Sequence, residues 1–310
     1  MSQITNHIMM IEPVGFRYNE ETAENNYYQK VIEGLTPEET QAKALTEFTD
    51  FVEKLRAKGV NVIVIKDTVS PDTPDSIFPN NWVSFHRDGS IGLYPMCATN
   101  RRFERREDIF DTLVDEYGFH IEEIKDFTEF EEHDKFLEGT GSMILDRENK
   151  ICYAAISIRT DEQAVIQFCD EFDYKPVCFN AYQNVGIERL PIYHTNVMMC
   201  VANEFAIICL DTIDHIEERN HVLETLESTN KEIIEISEEQ KAHFAGNMLQ
   251  VMGDKPYLVM SKSAYNSLDK NQIEKIEQYC PIIHSSLDTI EACGGGSARC
   301  MMAEIFLPQK

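Results

Sequence analysis

His194-Thr195-Asn196-Val197-Met198-Met199-Cys200 opens on hydrogen-bonding side chains and runs into a short apolar stretch. The same form, small or polar residues and then a strand-like run rich in Met, Val and Ile, returns four more times. It stands at Asn80-Asn81-Trp82-Val83-Ser84-Phe85, Gly139-Thr140-Gly141-Ser142-Met143-Ile144-Leu145, Gly246-Asn247-Met248-Leu249-Gln250-Val251 and Ser297-Ala298-Arg299-Cys300-Met301-Met302. The starts at 80, 139, 194, 246 and 297 lie 59, 55, 52 and 51 residues apart. Self-similarity at a near-fixed period marks a repeated supersecondary unit. These steps are too long for ordinary solenoid repeats.

Between the repeats, helical patterns alternate with short apolar runs. Thr36-Pro37-Glu38-Glu39 supplies an N-cap, a Pro at the first helical position and a capping-box Glu. Leu45, Phe48, Val52 and Leu55 follow at helical spacing, Gly59 ends the helix, and Val60 to Ile65 reads as a buried strand. Further helices are expected over 102–117, 160–172, 213–226 and 268–279, with strands near 176–179, 232–236 and 281–284. Such alternation defines an α/β chain. No Pro/Gly/Ser-rich linker interrupts it, so residues 1–310 are expected to form a single domain.

The 310 residues are 43% hydrophobic and 10% aromatic, enough for a sizeable core. Lys and Arg number 28 against 54 Asp and Glu, a formal charge of −26. That balance excludes nucleic acid and an anionic membrane surface as main partners. A small substrate held by one or two buried Arg residues remains compatible. No run of about 18 apolar residues is present, so no membrane span is expected. The N-terminus lacks the basic and apolar regions of a secretory signal. Nine scattered Cys without any CxxC pair fit neither a zinc framework nor a disulfide scaffold. A reducing cytoplasm suits them, with most packed as small hydrophobes. His215 and His221 have no metal-ligand spacing, and no metal or cofactor is expected.

The polar groups at the repeat starts are Asp75 with Asn80 and Asn81, then Glu138, then His194 with Asn196, then Cys300. If the units close into a ring, equivalent strand starts converge on its axis. A thiol, an imidazole, a carboxylate and amides would then share one pocket. A Cys nucleophile needs a base or cation beside it, and a His needs an orienting carboxylate. The set is complete for covalent catalysis at an electrophilic carbon.

Four motifs carry a resemblance: Phe78-Pro79-Asn80-Asn81, Leu137-Glu138-Gly139-Thr140-Gly141, His194-Thr195-Asn196-Val197 and Gly294-Gly295-Gly296-Ser297-Ala298-Arg299-Cys300. In this order and spacing the chain resembles the guanidino-group-modifying enzymes, or penteins, over roughly residues 8–308. The nearest branch by this pattern is the citrulline-utilisation hydrolases. The resemblance implies a five-bladed α/β propeller of pseudo-fivefold ββαβ modules. It implies Cys300 as nucleophile, His194 as general acid/base, and Glu138 as the carboxylate that contacts His194 and the substrate nitrogens. Phe78, Asn80 and Arg299 belong to the same motifs and are expected near the substrate. Arg159, in Ile158-Arg159-Thr160-Asp161, and Arg102, beside Arg101, resemble the Arg residues that grip the substrate carboxylate in dimethylarginine dimethylaminohydrolases. Asp75 is placed on the α-ammonium or on a side-chain N–H.

One departure bears on the substrate. Guanidinium-specific members place Asp where this chain has Asn81 and Asn196. A buried carboxylate facing a neutral ligand costs several kcal/mol of desolvation, order of magnitude, with nothing to offset it. An Asn offers a donor and an acceptor, which suits the uncharged ureido group of citrulline. Citrulline hydrolysis to ornithine, ammonia and carbon dioxide is therefore the expected reaction. An arginine deiminase-like or amidinotransferase reaction, and a non-catalytic binding protein, are the alternatives. Association into a homodimer stays open at this level. The Gly294-Gly295-Gly296 run matches no nucleotide-binding fingerprint and reads as a loop that lets the backbone pass close to substrate.

Overall fold

The computed structural model describes residues 2–309. Strands β1 (His7–Glu12) and β2 (Asn61–Lys66) pair in parallel across the helix Pro37–Arg56. In the next unit β3 (Val83–Phe85) and β4 (Ser90–Leu93) form an antiparallel pair. Helix Asp108–Asp115 then crosses over to β5 (Glu123–Asp126), which lies parallel to β4. The pattern repeats in β6 (Met143–Asp146), β7 (Ile151–Ala155), helix Glu162–Phe172 and β8 (Lys175–Phe179). A hairpin follows, β9 (Tyr182–Val185) against β10 (Glu188–Pro191). The fourth unit is β11 (Met199–Val201), β12 (Phe205–Ile208), helix Ile216–Ser228 and β13 (Glu232–Glu235). The fifth is β14 (Leu249–Met252), β15 (Pro256–Ser261), helix Lys270–Tyr279 and β16 (Ile282–Ser285). Finally β17 (Ala303–Glu304) returns to pair antiparallel with β1.

The result is five three-stranded sheets of identical ββαβ connectivity, the first assembled from the two ends of the chain. Parallel pairing demands a crossover, which explains the helix before each third strand. Middle strands such as β7 and β12 are buried along their whole length, as strands covered on both faces must be. Successive units are neighbours: β17 meets β3, the turn Gly139–Ser142 meets β3, β6 meets β11, and β11 meets β14. The fifth unit meets the first through Met252 N donating to Thr5 O at 2.9 Å. The sheets are not joined into a closed barrel.

The repeated polar starts take a form that the sequence does not announce. They are helical turns placed just before the first strand of a unit: Pro79–Asn81, Gly139–Ser142 and Thr195–Val197. The strands therefore begin a few residues later than expected. The helix expected over 102–117 is also divided. A 3-10 turn, Thr99–Glu104, precedes it, and the chain is extended at Arg105 before Asp108–Asp115 coils. Arg105 is pulled out of helical register because its guanidinium reaches Tyr94 O at 3.0 Å and Glu131. No helix among the described residues is long and apolar enough to cross a membrane.

Candidate active site

Two of the helical turns and the turn at 297–300 point their polar side chains at one buried cavity. Cys300 is 3% exposed. Its sulfur accepts from Asn247 Nδ2 at 3.2 Å and from Asn196 Nδ2 at 3.4 Å. His194 lines the same cavity and bonds through Nε2 to Glu138 Oε2 at 2.7 Å. Glu138 is fully buried. Its Oε1 accepts from Cys97 N at 3.0 Å and its Oε2 also lies 3.4 Å from Arg159 Nη1.

Burial alone would raise the Glu138 carboxyl. The Arg159 charge, the His194 hydrogen bond and the Arg101 charge outweigh it and hold the group well below the usual carboxylate range. An ionised carboxylate only accepts, so His194 Nε2 carries the proton and Nδ1 keeps a lone pair. His194 itself is lowered to about 4. Burial is the main cause; Glu138 pulls it back up, and Arg159 and Arg101 push it down. Near neutral pH the imidazole is uncharged. Gly141 permits this packing, since a Cβ there would come within 2.9 Å of the His194 ring and collide with Asn81.

Asn81 has a fixed orientation. Arg101 Nη1 donates to its Oδ1 at 2.8 Å, and an arginine offers donors only. The Asn81 NH2 is buried with no partner among the described residues, as are Asp75 Oδ1 and Asn196 Oδ1. Asp75 Oδ2 accepts from Asn19 Nδ2 at 2.8 Å and Thr22 Oγ1 at 2.9 Å. Burial raises the Asp75 carboxyl, opposed by Arg101. Phe78 forms an apolar wall. Cβ atoms at Gly294 and Gly296 would stand 2.7 and 2.9 Å from its ring. Gly294 and Gly296 thus make room for Phe78 and Gly295 for Asn26 and Gln29, while all three line the cavity.

Four residues sit differently from expectation. Arg102 turns away from the cavity. Its Nε donates to Met96 O at 3.1 Å and lies 3.4 Å from Glu131, while its neighbour Arg101 faces the site. Arg299 also points away, with Nη2 on Glu304 Oε2 at 3.0 Å and Nη1 on Met302 O at 2.8 Å. Asn80 is buried beneath the turn. Its side chain finds no partner among the described residues, and its backbone oxygen accepts from Thr140 Oγ1 at 3.3 Å. Arg159 does line the cavity, yet its guanidinium already serves Glu138, Thr22 O at 2.9 Å and Asn25 Oδ1 at 2.7 Å. Asn247, Tyr193 and the segment from Asn19 to Lys30 are the site residues not singled out from sequence. Asn247 stands within the fourth repeat start, one residue in, as Asn81 does in the first, and that was the available signal.

The segment from Asn19 to Lys30 covers the cavity. Asn26 Nδ2 donates to Gly295 O at 3.3 Å, Gln29 Nε2 to Cys293 O at 2.9 Å, and Lys30 N to Ala292 O at 2.6 Å. The enclosed space is about 10 Å³, a single water at most. No cluster of three metal-ligating side chains occurs among the described residues, and all nine Cys are free.

Five repeated ββαβ units around a buried sulfur, imidazole and carboxylate define the class: an enzyme fold for modifying guanidino-type groups. The family described as N,N dimethylarginine dimethylhydrolase, eukaryotic, matches residues 12–307, and the chain belongs to it, within the pentein superfamily. Among solved structures, ArgZ, an arginine dihydrolase from the ornithine-ammonia cycle in cyanobacteria, is similar with a TM-score of 0.73 and 18% identity. The match covers 98% of this chain and 41% of ArgZ, so the chain spans about two-fifths of that protein's length. The N-terminal domain of ArgZ bound to substrate gives a TM-score of 0.70 at 19% identity, covering 97% of this chain and 99% of that one. A dimethylarginine dimethylaminohydrolase adduct with S-methyl-L-thiocitrulline gives 0.64 at 16% identity, over 97% of this chain and all of that one. At these identities the likeness is one of fold. No curated protein matches the sequence.

Proposed function

We propose that the chain hydrolyses the ureido group of citrulline to ornithine, ammonia and carbon dioxide, with Cys300 as nucleophile. One observation carries the choice of head group. Arg101 fixes Asn81 so that it offers a donor, while Asn196 Oδ1 and Asp75 Oδ1 are unpartnered acceptors nearby. A ureido group has one acceptor oxygen and N–H donors, and matches that set. A guanidinium has only donors and would leave the Asn81 NH2 facing an N–H.

In the reaction, neutral His194 takes the thiol proton through Nδ1 as Cys300 attacks the ureido carbon. Asn196 and Asn247 stabilise negative charge on the sulfur, and Glu138 stabilises the imidazolium. The imidazolium protonates the leaving amine, the C–N bond breaks, and a carbamoyl group stays on sulfur. His194, neutral again, takes a proton from water, and the hydroxide displaces the thiolate. The carbamate released decomposes to amine and carbon dioxide. No metal or cofactor enters these steps. The five sheets serve as blades of a propeller whose axis carries the site.

A guanidino substrate is the second reading. It is favoured by the acidic groups Asp75 and Glu138 at the cavity and by the arginine dihydrolase activity of ArgZ. Incubating the pure protein with citrulline or with arginine separates the two. Ornithine formed from citrulline is expected, with His194→Ala slowing it about 10²- to 10⁴-fold. Citrulline accumulating from arginine, with no ornithine from citrulline, would overturn the reading.

A further inference from the structure

A second cavity of about 290 Å³ that Cys300 does not line lies between the β3–β4 and β6–β7 turns and Phe306, which follows β17. Its lining is unlike the rest of this acidic molecule. Arg87, Arg147 and Lys150 contribute three cations, and Phe172, Tyr174 and Phe306 contribute rings. Among the described residues no carboxylate lies within ion-pair distance of Arg87 or Lys150. Most of the other arginines have such a partner.

Arg147 is the telling member. Its residue is 6% exposed, and its guanidinium meets only the Tyr174 hydroxyl and the outer reach of one carboxylate. Its one carboxylate neighbour, Glu304 at 3.6 Å, is nearer to Arg299 at 3.0 Å. A guanidinium offers five donors, so most of those of Arg147 remain for a ligand in the cavity. Its Cζ lies 4.2 Å from the Phe306 ring centroid, and Arg87 Cζ stands 5.0 Å from the same ring. Lys150 Nζ lies 4.6 Å from the Tyr174 centroid and spends one donor on Phe172 O, leaving two. His86 stacks on Phe172 at 3.9 Å as the cavity's back wall. Burial lowers its pKa well below the usual value, and Arg147, Lys150 and Lys125 lower it further. The one acidic side chain at the rim, Asp88, is held by Ser90 N at 3.0 Å and by the Ser90 hydroxyl.

We propose that this cavity is a second binding site, for a small organic anion that joins a phosphate or carboxylate head to a flat aromatic body. The head takes the unused donors of Arg147, Arg87 and Lys150, as charge-assisted hydrogen bonds favour. The body lies on the aromatic wall. The cavity sits at the small end of ligand-site sizes, which sets the ligand at a single ring or one nucleoside monophosphate. This assignment is independent of the substrate read at Cys300.

Calorimetric titration of the full chain tests it with phenyl phosphate, AMP, inorganic phosphate and neutral benzyl alcohol. Saturable binding of a ring-bearing phosphate is expected, with inorganic phosphate at least about tenfold weaker and benzyl alcohol silent. The variant Arg87→Gln/Lys150→Gln changes only an exposed and a half-buried residue; circular dichroism and Tm confirm its fold. It should bind about tenfold more weakly, and added salt should weaken the wild type in parallel. The tighter of phenyl phosphate and AMP identifies a single-ring or a nucleotide source. Three results each overturn the proposal: no binding of either ring-bearing phosphate up to about 10 mM, unchanged affinity in the variant, or phosphate binding as tightly as its aromatic esters.

Discussion

His194 carries the pH dependence of the site. Burial lowers it to about 4, against the Glu138 hydrogen bond that raises it. A base of that strength stays unprotonated well below the ordinary histidine value of 6.5. The acidic limb of kcat/KM for the free enzyme should therefore have its midpoint nearer 4 than 6.5. A midpoint at or above 6.5 in a pH–rate profile would contradict the geometry. The same shift has a sign in folding. The unfolded chain takes up this proton first, so this group's share of stability is full above 6.5 and is lost as pH falls toward 4. Among the residues that the motifs framed, Cys300, His194, Glu138, Asn81 and Asn196 come together, while Arg299 and Asn80 do not join them. Arg102 was mistaken for its neighbour because both lie in a 3-10 turn. Successive side chains there are about 120° apart, so Arg101 faces the cavity and Arg102 faces Glu131. Sequence gives no phase for so short a turn.

Elements differ in how openly the sequence declares them. The helix Pro37–Arg56 has its full capping box, with Thr36 Oγ1 accepting from Glu39 N at 3.2 Å and Glu39 Oε2 from Thr36 N at 2.9 Å. It buries Phe48, Phe51, Val52 and Leu55, and an amphipathic repeat of that length is hard to misread. Thr36→Ala should cost about 1 kcal/mol and lower Tm by roughly 1–3 °C. Turnover per folded molecule should not change, because Thr36 is not among the residues that line the cavity at Cys300; thermal melts and initial rates check both halves. By contrast, residues 102–106 read as the opening of one charged amphipathic helix over 102–117. Arg101, Arg105 and Arg106 reach the distant partners Asn81, Glu131 and Lys66 O, and those bonds override local propensity. The hairpin β9–β10 was invisible for a related reason. Its four-residue strands are half exposed and carry little apolar alternation.

Across the whole molecule, the even spacing of five polar turns anticipated five like units. It could not reveal that one unit is stitched from both termini, since β17 pairs with β1 from the far end of the chain. Nor could it reveal the covering segment, whose bonds run to the end of a helix and the glycines after it, more than 260 positions away. That cover can be examined directly. Asn26→Ala together with Gln29→Ala removes the side-chain bonds to Gly295 and Cys293. Limited proteolysis read by mass spectrometry should then show faster nicking within residues 19–30, and bound citrulline should not restore wild-type protection; equal nicking rates would refute the latch. Arg159 gives that latch a further meaning, because it holds Thr22 O and Asn25 Oδ1 with the donors that an amino-acid carboxylate would seek. On the proposed reading, ligand and cover are rivals for one cation, so each arriving molecule would unfasten the door it passes through. Part of its affinity is spent on that exchange, and departure of the product is what lets the door fasten again.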